Sequence, residues 1–121
     1  MTTPAYKQSF IYLASPYSHK DSDIREMRFK KVCQIAAKLM LQGDKVFCPI
    51  AHSHSIETIG MSRRLPGPFW LNQDFSILKH AEILYVCMLP GWGESEGIKA
   101  EVEFALANNI PVAYIDEDYA D

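Results

Sequence analysis

Short, wholly apolar runs alternate along this chain with longer segments in which apolar residues recur every three or four positions. "SFIYLASP" is an apolar run closed by Ser-Pro and predicts a buried strand. Residues 22–42, opened by Asp21 or Ser22 as a cap, place Ile24, Met27, Val32, Ile35, Ala36, Leu39 and Met40 at helical spacing. Gly43 follows where a helix C-terminus favours glycine. "KVFCPI" predicts a second strand, interrupted by Pro49. Residues 51–68 are polar and carry Gly and Pro, which predicts a long loop with one helical turn at most. "FWLNQDFSILKHA" predicts a helix with Trp70, Leu71, Phe75, Leu78 and Phe69 inward, and "EILYVCMLP" a third strand. A glycine-punctuated loop at 91–97, a helix at 97–108 and the strand "IPVAYI" complete the pattern.

Alternation of helices with continuously apolar strands predicts a parallel sheet covered on both faces. The expected fold is α/β: a flavodoxin-like or Rossmann-like three-layer sandwich with about four or five strands. Its 121 residues fit one domain, residues 1–121. Ligands of such sheets bind at the carboxyl ends of the strands. The segments "ASPYSH", "PIAHSHS" and "PGWGESEG" should therefore converge on one rim.

Charge and cysteines narrow the partners. The net charge is -3 and no basic stripe stands out, which argues against nucleic-acid binding. No apolar run reaches membrane-spanning length, and "MTTPAYKQSF" lacks a signal-peptide pattern, so a cytoplasmic protein is expected. Cys33, Cys48 and Cys87 are an odd set without CxxC spacing and read as buried thiols. His52 and His54 have no further ligand at metal spacing, so no metal is expected.

The 91–97 loop is neither a P-loop, lacking Gly-Lys-Ser/Thr, nor a dinucleotide fingerprint, since Gly91, Gly93 and Gly97 fit GxGxxG poorly. Read locally, Ser95 caps a helix and Glu101 is an ordinary helix acid. Likewise Asp74 caps a turn or pairs with Lys79, and Tyr12 is a core tyrosine with a wet tip.

Three segments taken together in chain order support a more specific reading: "YLASPY", "NQDFSILKHAEILYV" and "GWGESEGIKAEVEFA". This combination resembles the nucleoside 2-deoxyribosyltransferase family over most of the chain. The resemblance implies cleavage or exchange of the N-glycosidic bond of a deoxyribonucleoside or its monophosphate, with no cofactor. By position, Glu101 would be the nucleophile, Asp74 the proton donor to the leaving base and Tyr12 the residue orienting Glu101. The residue six before the glutamate is an acid in the family's nucleoside-acting branch and a serine in the branch hydrolysing 5′-monophosphates. Ser95 stands there, which favours a monophosphate, although Glu94 and Glu96 flank it. Gly97, Ser15, Tyr17, Ser18 and His19 are candidates to hold the phosphate, and His52 to sit near base or phosphate. Arg63 and Arg64 could close over an anion; Trp92 is favoured over Trp70 for a ligand or subunit contact. The resemblance also implies a homodimer or larger assembly, with a neighbouring subunit completing each site.

Elementary electrostatics fits these roles. Glycosidic cleavage needs two carboxyl groups in different protonation states, about 5–5.5 Å apart if configuration is retained. A helix N-terminus would favour ionised Glu101 by roughly 0.3–1 kcal/mol. Apolar neighbours should raise the pKa of Asp74. Two alternatives keep the fold: a non-catalytic nucleotide-binding module, and a glycohydrolase of NAD or ADP-ribose-like ligands.

Overall fold

A parallel four-stranded sheet in the order β2-β1-β3-β4 forms the centre of the molecule. Its strands are β1 (Ile11–Ala14), β2 (Val46–Phe47), β3 (Ile83–Cys87) and β4 (Val112–Ile115). Four helices surround it: α1 (Ser22–Leu41), α2 (Pro49–Ser55), α3 (Gly67–Leu78) and α4 (Glu96–Ala107). The structure is a computed structural model and describes residues 9–121. The stretch read for a targeting signal lies largely outside that range. Among the described residues no helix is long and apolar enough to cross a membrane.

Alternation along the strands divides two apolar layers. Leu13 of β1 and Cys87 of β3 face α1, where Val32, Ile35, Ala36 and Leu39 form the buried stripe. Tyr12 and Ala14 of β1, with Leu84 and Val86 of β3, face the other way, onto Leu78 of α3 and Ile98 and Ala105 of α4. This is the three-layer, flavodoxin-like arrangement. The period of two in a strand decides that Tyr12 points toward α3 and α4 rather than α1.

Helix α1 begins at Asp21, whose side chain accepts from the Asp23 N–H, and ends before Gly43, which has φ +103°. Met27 and Met40 of the expected stripe are exposed, because at about 100° per residue they fall off the face that Val32, Ile35, Ala36 and Leu39 bury. Stacking of the Phe75 and Phe104 rings, 4.4 Å apart and nearly parallel, ties α3 to α4.

Two expectations require correction. The second strand is only two residues long, since Pro49 has no N–H for the ladder and instead opens α2. The expected 51–68 loop is largely helical: α2 continues into a π-helical turn at Ile56–Gly60. Ser53, Ser55 and Thr58 return their hydroxyls to carbonyls four residues back, so polar side chains stay satisfied within the helix. The helix lacks the apolar periodicity that would announce it. Of the cysteines, Cys48 and Cys87 are buried as expected, while Cys33 is half-buried.

Candidate active site

The sheet's strand order reverses at β1, with β2 on one side and β3 on the other. Connections leaving neighbouring strands on opposite faces open a crevice there. A cavity of about 670 Å³ occupies this place. Ser15, Tyr17, Ser18 and His19 line it after β1; Pro49, Ile50 and Ser53 after β2; Gly91 and Glu94 to Gly97 after β3. All three rim segments anticipated from the sequence therefore meet. Helix α3 adds Trp70, Leu71 and Asp74, and α4 adds Ala100 and Glu101.

Glu101 is the pivot of the site. It lies one and a half turns into α4 and is only 5% exposed. The Tyr12 hydroxyl, fully buried beneath the cavity, donates to Glu101 Oε2 at 2.5 Å. Burial pushes the Glu101 carboxyl up to about 8; the Tyr12 hydrogen bond lowers it and the nearby Asp74 charge raises it. The expectation of an ionised Glu101 stabilised by the helix dipole is thus corrected. The dipole acts within the first turn, and loss of water outweighs it deeper in the helix. Asp74 is raised to about 6, by burial, in the direction anticipated. The phenol of Tyr12 is pushed far above its ordinary range by burial and by Glu101 and Asp74, so it acts as a neutral donor.

Geometry connects these groups through the packing. Asp74 immediately precedes Phe75, and Glu101 lies one turn before Phe104, so the Phe75–Phe104 stack holds the two acid-bearing turns together. Tyr12 reaches the pair because its strand position faces that layer.

Ser95 caps α4, its oxygen accepting from the Ile98 N–H at 3.2 Å. Ser95 also lines the cavity, and in that bond its hydroxyl acts only as acceptor, so its hydrogen is not used by the cap. The Ser15 hydroxyl lines the cavity, is buried, and has no hydrogen-bond partner among the described residues. Arg28 holds the rim together: Nη1 donates to the carbonyls of Tyr17 and Ser18, and Nη2 to that of Pro90. Gly91, with φ +91°, gives it room, since a Cβ there would come within 2.5 Å of Nη2.

The residues match, over 9–117, the family model described as "Domain of unknown function (DUF1937)". The chain belongs to the DUF1937 family. No curated protein matches it. A solved structure of a 2-deoxyribosyltransferase from the psychrotolerant bacterium Bacillus psychrosaccharolyticus is similar, with a TM-score of 0.62 at 20% sequence identity. The alignment covers 89% of this chain and 72% of that one. At that identity the likeness establishes a shared fold between this DUF1937 chain and the transferase.

Of the residues singled out from the sequence, Glu101, Asp74, Ser95, Gly97, Ser15, Tyr17 and His19 line the cavity of this DUF1937 chain, and Tyr12 lies directly beneath it. His52 and Trp92 do not line it. His52 is exposed on α2 and turned toward Phe47, because residues two apart on a helix point in different directions. Trp92 packs against Tyr114 and the apolar layer under α4. The indole on the cavity wall belongs to Trp70, the tryptophan read as core. Trp70 Nε1 donates to Glu57 Oε2 at 3.0 Å, and the Leu65 N–H donates to the same oxygen at 3.0 Å. Glu57 itself is buried. Arg64 lines the cavity; Arg63 does not. Glu57, Arg28 and Ser53 escaped the sequence reading because nothing in their local spacing announces a site; only the fold collects them.

Proposed function

We propose that this chain cleaves or exchanges the N-glycosidic bond of a 2′-deoxynucleoside 5′-monophosphate through a covalent glycosyl intermediate on Glu101. The observation that carries this reading is the buried Tyr12–Glu101 hydrogen bond at the floor of a cavity that Asp74 also lines. The shared fold with a protein named as a 2-deoxyribosyltransferase supports it.

Ionised Glu101 attacks the anomeric carbon of the sugar. The bond from that carbon to the base nitrogen breaks, its electron pair goes to the base, and Asp74 supplies a proton to that base. Water or a second base then displaces Glu101 and regenerates the carboxylate. Between about pH 6 and about 8 the two carboxyls together hold one proton and one negative charge, which is the inventory the first step requires. Burial favours that proton on Glu101. Catalysis requires it on Asp74, with Tyr12 donating to the bared Glu101 oxygen. Trp70 offers a flat wall for the base. The Ser95 hydroxyl and backbone N–H groups at the start of α4 suit a phosphate.

Glu94 and Glu96 also line the cavity beside Ser95, which favours a second reading in which a nucleoside with a free 5′-hydroxyl is the substrate. Incubation with deoxynucleosides and their 5′-monophosphates, scored for free base by chromatography, separates the two. Release from monophosphates, abolished by Glu101→Ala, supports the first reading. Release from nucleosides alone supports the second, and no release from either overturns both. An unchanged ligand affinity together with unchanged base release in Glu101→Ala would refute a catalytic Glu101. The same panel in ribo form tests the NAD-like alternative, since those ligands carry a 2′-hydroxyl. A homo-oligomer that completes the site with a neighbouring subunit remains part of this proposal.

A further inference from the structure

Tyr17 lies on the cavity wall, and a buried histidine stands behind it. The Tyr17 hydroxyl is 2.6 Å from His54 Nδ1, and His54 Nε2 is 3.2 Å from Glu26 Oε1. His54 also stacks on Phe29 of α1, with ring centroids 4.1 Å apart, so the imidazole cannot turn freely. Three elements therefore meet in one chain of hydrogen bonds: α1 through Glu26, α2 through His54 and the loop after β1 through Tyr17.

The chain has a direction. An ionised carboxylate only accepts hydrogen bonds, so Nε2 of His54 must carry the hydrogen that faces Glu26. In the neutral imidazole Nδ1 is then a lone pair, and the Tyr17 O–H must donate to it. In that arrangement the single Tyr17 hydrogen points to His54 and the hydroxyl presents oxygen lone pairs elsewhere.

We propose that Glu26, His54 and Tyr17 form a relay that fixes the Tyr17 oxygen as a hydrogen-bond acceptor on the cavity wall, selecting a ligand that presents a neutral hydroxyl or amino donor there. The Tyr17 hydroxyl then offers an anionic group no hydrogen of its own, although the Arg25 and Arg64 guanidiniums lie close enough to act on it. The sugar hydroxyl or a base amino group of the proposed substrate faces the Tyr17 oxygen, while Ser95 remains the group that suits the phosphate. Glu26 and His54 are positioning residues; Tyr17 determines specificity. The ligand's identity rests on the nucleotide reading above, whereas the relay rests on the side-chain geometry alone.

Two measurements test it. Long-range ¹H–¹⁵N correlation on histidine-labelled protein, at the pH of the turnover assay, should show His54 as the neutral Nε2–H tautomer. An Nδ1–H tautomer or a doubly protonated ring overturns the relay, whatever the protein's activity. The resonance is assigned by its displacement in Tyr17→Phe, which is nearly isosteric. The second measurement is a double-mutant cycle on turnover of dAMP, dCMP, dGMP and dTMP. Tyr17→Phe and His54→Phe should each raise KM about 3- to 10-fold, the value of one neutral hydrogen bond, with kcat nearly unchanged. The double variant should be no worse than Tyr17→Phe. Multiplying losses, or a fall in kcat rather than a rise in KM, would show that His54 merely supports the fold. Absence of turnover by the wild type sinks the nucleotide reading, and the tautomer then decides the relay on its own.

Discussion

Replacing Tyr12 by phenylalanine removes one oxygen from the floor of the site and little else, because the ring stays packed between Phe47 and the second apolar layer. What is lost is the hydrogen bond to Glu101 Oε2, the interaction that lowers the pKa of Glu101 against its burial. A hydrogen bond to a charged group contributes about 1.5–3 kcal/mol, or about 10- to 100-fold in the population of ionised Glu101 at a given pH. The proposed mechanism gives the wild type a bell-shaped dependence of kcat/KM on pH, with limbs near about 6 and about 8, since two protons on the pair remove the nucleophile and none removes the acid. In Tyr12→Phe the plateau should fall about 10- to 100-fold. The alkaline limb should move upward by about one pH unit or more, because Glu101 holds its proton more tightly. The acid limb should stay near about 6, where burial of Asp74 sets it. The assay is chromatographic release of free base across the pH range. An alkaline limb that stays in place, or moves down, would refute the reasoning that Tyr12 acts through the ionised form of Glu101.

Four further outcomes are expected. Folded Glu101 keeps its proton to about 8 while an unfolded glutamate releases it near its ordinary 4.5, so the folded state binds more protons in that window and stability falls as pH rises through it. Glu101→Gln should therefore be inactive yet have a higher Tm than the wild type above about pH 8, the gap closing toward pH 4.5; parallel Tm profiles would remove the burial argument. Asp74→Asn should abolish the alkaline limb, since no general acid is left to lose its proton, and cut base release by about 100-fold or more, the scale of general-acid catalysis, whereas a chemically activated substrate with a good leaving group should recover much of the loss. Gly91→Ala forces a left-handed φ and a clash with Arg28 at once, and should lower stability by about 1–3 kcal/mol in urea denaturation. Phe104→Ala should cost about 2–4 kcal/mol by removing the stack that joins α3 to α4, and should lower kcat in the same variant; a stable variant with undiminished kcat would show that this stack does not align the two acids.

Much of the architecture is carried by local pattern. Apolar runs and helical spacing specify four strands and three of the four helices, because burial of a strand or a helix stripe leaves a periodic imprint on neighbouring residues. The imprint also determines which loops share a rim, and Gly43 and Ser95 mark helix ends through chemistry that needs only adjacent residues. The family resemblance carried by three segments in chain order singles out Tyr12, Asp74 and Glu101.

The tertiary structure decided everything that depends on contacts between distant residues. Helix α2 and the π-helical turn after it are polar in sequence, and their inward face is set by His54 meeting Glu26 and Tyr17 and by Glu57 meeting Trp70 and Leu65. The choice of Trp70 over Trp92 for the cavity wall follows from where α3 and the loop after β3 pack, which no local spacing encodes. The proton's resting place is of the same kind. Local context placed Glu101 near a helix start and argued for a charged group; the sheet beneath and α3 beside it exclude water and reverse that balance. Desolvation is a property of the assembled neighbourhood, so the protonation state of the site was settled only when the chain closed over it.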